Sequence, residues 1–188
     1  MRSSNRLNIS SYIFQNRTQD YAAFHGHIIS SQQLELNVCT MQNIAIIGLD
    51  QHIASKLEKI RQQAHLVQVF QIQPSFVLPQ NEQKFHRNVQ HPLLIRNKRQ
   101  INTRVKSILA LRFLDTQIQD TWLKRQLMPN LASDKKQFLK SDDYYYALQQ
   151  SNCQLITWPI KKITQDSIEC VDGSIYRVDL IIRMWTDD

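Results

Sequence analysis

Chemistry is most readily placed in this chain where the run Ile44-Ala45-Ile46-Ile47 closes on Gly48. A buried strand running into a glycine is how a dinucleotide-binding βαβ unit begins. The glycine lets the chain turn sharply, and the first N–H groups of the next helix then face a phosphate. The Gly-x-Gly-x-x-Gly spacing would put glycines at 48, 50 and 53, and the chain has Gly48, Asp50 and Ile53. Gly48, Leu49, Asp50, Gln51, His52 and Ile53 are therefore the candidate nucleotide-contacting positions, several with unsuitable side chains. A carboxylate at position 50, about 5 Å from a pyrophosphate charge, would repel it by roughly 3 kcal/mol at an effective dielectric near 20. Asp50 has a benign role as the cap of the following helix, and that role is favoured. Gly48 serves equally well as a simple strand-to-helix turn or as a close-approach residue.

Other candidate groups are weaker. His25 and His27 share one side of an extended segment, but no third ligand stands at a recognisable spacing, so no metal site is assigned. Asp142 and Asp143 precede a short helix, where the dipole accounts for them better than acid–base chemistry does. Tyr144-Tyr145-Tyr146 reads as packing against a sheet rather than as a stacking platform. Cys39, Cys153 and Cys170 are odd in number and lack a Cys-x-x-Cys pair, which excludes a disulfide framework and a structural zinc site. No nucleophile–base arrangement can be assembled from spacing, so no catalytic residue is assigned.

The elements that must carry these groups are ordinary for a chain of 188 residues with 42 % apolar content. Three glycines leave few sites for left-handed turns or close approach to a ligand. The net charge of +7 suits a polyanion. Its cations are spread along the chain, however, the densest groups being Arg96-Asn97-Lys98-Arg99 and Lys135-Lys136, so nucleic-acid binding is disfavoured. No stretch has the length of a membrane span or a secretory core, which reads as a cytoplasmic protein.

Strands are expected at 44–49 and 65–70 with a helix at 55–63 between them, and a loop is expected around Phe76-Val77-Leu78, set off by Pro74 and Pro79. Ile101, Val105, Ile108, Leu109 and Phe113 mark one face of a further helix. Ile118, Trp122, Leu123 and Leu127 mark the next, and a short helix is expected over 144–149. Strands are expected at 153–157, 160–163, 167–171, 174–178 and 180–183, with Asp172-Gly173 as a hairpin turn.

In this order the motifs resemble the flavin-dependent monooxygenases that use FAD and NADPH, especially the Baeyer–Villiger type. Phe24-His-Gly26 resembles the start of that family's Phe-x-Gly-x-x-x-His-x-x-x-Trp fingerprint, with Ser30 and Leu34 at the histidine and tryptophan positions. Residues 44–54 resemble its NADPH-binding turn. Val69-Phe70-Gln71-Ile72-Gln73-Pro74 resembles the segment Val-Phe-Gln-Arg-x-Pro, with Ile72 where an arginine would meet the NADPH 2′-phosphate. Gln71 and Ile72 thus join the candidate cofactor positions by resemblance. Leu127-Met-Pro129, Ser141-Asp-Asp-Tyr-Tyr145 and Asp179-Leu-Ile-Ile182 resemble the later stretch, with Met184-Trp185-Thr186 in place of an Ala-Thr-Gly turn. The likeness covers residues 21–186.

The resemblance implies an α/β fold: a Rossmann-like parallel sheet with crossover helices, then a helical stretch and an antiparallel β segment belonging to an incomplete FAD-type domain. The implied division is a polar segment 1–20, a degenerate NADP-binding domain 21–130, and a partial return into an FAD-type domain 131–188. The implied cofactors are FAD and NADP(H), and the implied reaction is oxygenation of an organic substrate. The departures at several motif sites, with no FAD-binding unit before Phe24, point to a truncated or degenerate relative inactive alone. The rival expectation is a non-catalytic interaction module whose uncovered apolar surface takes a second copy or a subunit supplying the FAD domain.

Overall fold

A computed structural model describes residues 21–80, 98–133 and 136–184. The polar segment 1–20, Arg96-Asn97, Lys135 and Trp185-Thr186 lie outside the described residues. The centre is a five-stranded, wholly parallel sheet in the order β1-β10-β2-β3-β6. Its strands are β1 (His27–Ser30), β2 (Asn43–Ile47), β3 (Leu66–Phe70), β6 (Cys153–Ile156) and β10 (Leu180–Arg183). The expected strands at 44–49 and 65–70 are β2 and β3, joined by helix α1 (Gln51–Gln63), which buries Ile53, Ala54, Leu57 and Ile60. Parallel strands covered on both faces read as continuous apolar runs, as β2 and β10 do.

Two apolar clusters cover the two faces. One gathers Ile44, Ile46, Val69 and Ile182 under α1 and under helix α4 (Tyr144–Leu148), with Tyr144 and Tyr145 buried. The other gathers Ala45, Phe70, Ile156 and Ile181 under an antiparallel sheet of β7 (Ile160–Ile163), β8 (Ser167–Cys170) and β9 (Ile175–Arg177). Ile163, Ile168 and Cys170 face inward there, and Tyr176 meets Phe70 edge-on at 5.5 Å. The turn between β8 and β9 is the expected one: Gly173 has φ +87° and Asp172 holds the Ser174 N–H at 3.1 Å.

The expected α/β arrangement of a parallel sheet with an antiparallel segment is present: β6 and β10 join β2 and β3 in the parallel sheet, and β7, β8 and β9 form the antiparallel one. Two expectations need correction. Phe76-Val77-Leu78 is a strand, β4 (Phe76–Leu78), paired in parallel with β5 (Phe138–Lys140) rather than a loop. Helix α2 (Lys98–Gln117) also turns a different face inward. Ser107, Ala110 and Leu114 are buried, whereas Val105 and Ile108 are 42 % and 54 % exposed. After α2, helix α3 (Thr121–Gln126) starts at Asp120, whose carboxylate accepts the N–H groups of Trp122 and Leu123. No helix among the described residues is long and apolar enough to cross a membrane.

Candidate functional site

In open parallel sheets, ligands sit beyond the carboxyl ends of the strands, where the connections diverge. The corresponding place is the corner after β2, flanked by β10 on one side and β3 on the other. Gly48 makes the turn at φ +84° and donates its N–H to Phe70 O at 3.1 Å. A Cβ on Gly48 would lie 3.1 Å from the Met184 Cβ, with the Met184 sulfur and methyl at 3.6 and 3.8 Å. Met184 extends the ladder past β10 by donating its N–H to Ile47 O at 3.0 Å. The space that the glycine leaves open is thus taken by a side chain of the same protein.

Asp50 caps α1 as expected, accepting the Ile53 N–H at 2.9 Å through Oδ1. Its other oxygen accepts a short hydrogen bond from the Ser31 hydroxyl, which is buried beside the 3₁₀ turn Ser31–Gln33. The carboxylate therefore holds a first-turn N–H that an incoming anion would need, and it adds a negative charge at that place.

The other candidates are divided between packing and surface. Leu49 and Ile53 are core residues, 4 % and 0 % exposed, while His52 is on the surface. Gln51 is engaged at β5: its carboxamide donates to Lys140 O at 2.7 Å and accepts the Lys140 N–H at 2.8 Å. Gln71 is buried and spoken for. Its N–H donates to Ile156 O, its oxygen accepts the Tyr144 hydroxyl at 2.7 Å, and its NH₂ donates to Gln73 O at 3.3 Å. Desolvation at full burial holds the Tyr144 phenol well above its ordinary range, so it stays the donor of that pair.

Ile72 is half-buried in the wall of an open groove of about 320 Å³, shared with Pro74, Phe76, Met128, Asn130 and Lys136. Phe76 and Phe138 lie 5.1 Å apart, with Lys136 Nζ 5.7 Å from the Phe76 centroid and Lys106 Nζ 5.9 Å from the Phe138 centroid. Lys136, Ser31 and Met184 are the residues whose placement the sequence concealed. Met184 and Gly48 are far apart in the chain, and nothing local ties Ser31 to Asp50.

The fingerprint positions are structural. Phe24, Ser30 and Leu34 are buried, and a Cβ on Gly26 would fall 2.3 Å from Asp179 O and 2.6 Å from the Phe24 ring. His25 and His27 are exposed, and no group of three or more metal-ligating side chains forms among the described residues. The three cysteines are buried and unpaired, and burial pushes the Cys153 thiol up to about 12, far from a reactive thiolate.

At the β2 corner the residues do not fit a dinucleotide pyrophosphate. The cradle is occupied by Met184, and the helix start is answered by a carboxylate.

No family model matches the chain. Over an alignment of 204 residues it is 27 % identical to the FAD-binding monooxygenase ktnD of Aspergillus niger, covering 94 % of this chain and 33 % of that protein. Over 74 residues it is 36 % identical to a Baeyer-Villiger monooxygenase of Pseudomonas aeruginosa, covering 39 % of this chain and 14 % of that one. The chain therefore spans a third or less of these relatives' length. It superposes on an oxidised steroid monooxygenase bound to NADP with a TM-score of 0.68 at 15 % identity, over 88 % of this chain and 43 % of that structure. The resemblance drawn from the motifs is borne out: the chain is similar to part of the Baeyer–Villiger-type flavin monooxygenases, in sequence and in fold.

Proposed function

We propose that this chain is a degenerate counterpart of the nucleotide-binding part of a flavin-dependent monooxygenase, which by itself neither holds NADPH at the β2 corner nor oxygenates a substrate. One observation carries this reading: Asp50 and Met184 fill from within the two features, helix start and glycine cradle, that a pyrophosphate uses. Lys136 lines the same groove as Ile72, on the side where the resemblance puts an arginine, and such a contact is too little to offset the repulsion at Asp50. The buried, unpaired thiols suit a reducing compartment such as the cytoplasm. Titrating the purified chain with NADPH and FAD, followed by fluorescence and calorimetry, tests the reading. No saturable binding below about 1 mM is expected, a limit equivalent to roughly 4 kcal/mol of affinity. Stoichiometric FAD uptake with oxidation of NADPH would refute it.

A second reading, a non-catalytic interaction module, is favoured by large apolar side chains left in the open. Trp158, Val171 and Ile175 are 55 %, 60 % and 67 % exposed.

A further inference from the structure

With about 3.6 residues to the turn, Val105, Ile108 and Arg112 fall on one line along α2, opposite the buried Ser107, Ala110 and Leu114. Arg104 flanks that line, and both arginines are exposed together with the two apolar side chains. Asp115 continues it. Lys124 Nζ of α3 reaches the Asp115 carboxylate at 2.7 Å, which brings α3 against the end of α2. On α3 the pattern repeats: Trp122, 66 % exposed, and the exposed Arg125 stand three positions apart, away from the buried Leu127. Apolar tips and guanidinium groups thus share the outer side of both helices.

The charge of this stretch is one-sided because acids are scarce in it. Residues 98–133 hold seven lysines and arginines against two aspartates, so a net +5 of the chain's +7 lies here. Both aspartates are engaged: Asp115 pairs with Lys124, and Asp120 caps α3 by accepting the Trp122 and Leu123 N–H groups. Among the described residues no acid forms an ion pair with Arg104, Arg112 or Arg125. The charge left over is positive, and what complements it is an anionic surface.

We propose that the outer side of α2, with the adjoining α3, rests on a lipid bilayer that carries anionic headgroups. The arginines meet the headgroups, while Val105, Ile108 and Trp122 enter the boundary between headgroup and acyl chain. Those apolar tips favour a lipid surface over other polyanions, since a nucleic acid would meet the arginines and leave Val105 and Ile108 in water. A folded acidic partner asks for a continuous, shape-matched patch of about 800 Å², whereas the back of a helix is convex and its apolar groups are interrupted by arginines. A bilayer accepts such groups one at a time. The inference uses no residue of the β2 corner, so it stands or falls separately from the loss of nucleotide binding there.

Attachment of this kind is reversible. Each arginine near an anionic surface strengthens it by about fivefold, so three together contribute on the order of a hundredfold. Their attraction fades beyond a Debye length of ~10 Å at 0.1 M salt, which makes the attachment salt-sensitive.

Co-sedimentation of the full chain with vesicles of phosphatidylcholine, alone or with about a third phosphatidylserine, tests this. The chain should sediment only with the anionic vesicles, and less as salt rises. Arg112→Gln should weaken that binding about fivefold, and Ile108→Ser should weaken it with the charge unchanged. Arg177→Gln, which removes the same charge from the antiparallel sheet, should leave it as it was. All three positions are exposed, so circular dichroism should show the fold intact. A wild type that stays in the supernatant with anionic vesicles overturns the proposal. A loss with Arg177→Gln as large as with Arg112→Gln reduces the binding to net charge and overturns this surface. Equal affinity for polyglutamate or duplex DNA, with Ile108→Ser without effect, assigns the arginines to an acidic polymer and overturns the lipid.

Discussion

Gly26→Ala is expected to be among the most damaging single-methyl changes in this protein. Gly26 does not have positive φ, so an alanine backbone is admissible there, and in open space the change would stabilise by about 0.4–1 kcal/mol through the unfolded chain. The added Cβ instead lands 2.3 Å from Asp179 O and 2.6 Å from two carbons of the Phe24 ring, well inside ordinary van der Waals contact. Neither neighbour is free to retreat. Asp179 O accepts the His27 N–H at 3.3 Å, its N–H donates to Asn43 O at 2.8 Å, and its carboxylate accepts the Asn43 N–H at 2.8 Å. Phe24 is 7 % exposed within the apolar cluster under the antiparallel sheet. Overpacking costs about 1–3 kcal/mol, and each weakened hydrogen bond adds about 0.5–1.5 kcal/mol. The net loss should be about 2–5 kcal/mol, a large part of the stability of an ordinary domain. Urea unfolding followed by circular dichroism would measure it. Gly173→Ala is the control: its φ is +87° but nothing lies within 4 Å, so it should cost only the left-handed backbone term of about 1–2 kcal/mol. If Gly26→Ala unfolds at the wild-type midpoint, or loses less than Gly173→Ala, the assignment of Gly26 to close approach is wrong.

Two further outcomes follow from the site and from the surface of α1. Asp50→Ala should cost ~1 kcal/mol by removing the cap of α1, while Asp50→Asn should cost only a few tenths, read as shifts in the thermal midpoint; equal losses for the two would deny the capping role. Glu58 is held below the usual carboxylate range, chiefly by its hydrogen bond from Arg61. Its contribution is therefore complete above the unfolded-state value and lost as pH falls through the lower folded value. Glu58→Gln should flatten the acid limb of a stability–pH curve without changing its slope near neutrality, and an unchanged acid limb would count against it.

The local parts of this fold could be read directly from the sequence. The run ending at Gly48, the apolar spacing of Leu57 and Ile60, the Asp50 cap and the Asp172-Gly173 turn all act within a few residues. The remainder depends on contacts across long stretches of chain. Asn43 and Asp179 are bonded over 136 positions, and nothing near either residue announces the other. On α2 the periodicity misled because apolar residues surround the helix. Small Ala110 and Ser107 lie closest to the body of the protein, while the more conspicuous Val105 and Ile108 face out. The prolines around Phe76 hid a three-residue strand whose partner lies beyond α2 and α3. At the candidate site, Asp50 was legible as a cap. Its bond to Ser31 and the placement of Met184 over Gly48 were not, because each depends on the closed sheet.

The position of β10 between β1 and β2 fixes the order in which this molecule can be completed. As the polypeptide leaves the ribosome, β2, α1 and β3 can associate early, but β1 has no neighbour until Leu180 to Arg183 emerge. For most of synthesis the nascent protein must hold an open slot one strand wide, with the rim of β2 facing whatever else is near. Such late, distant pairing is slow and leaves an edge on which other chains can add. A stop codon only a few positions before Leu180 would make that exposure permanent.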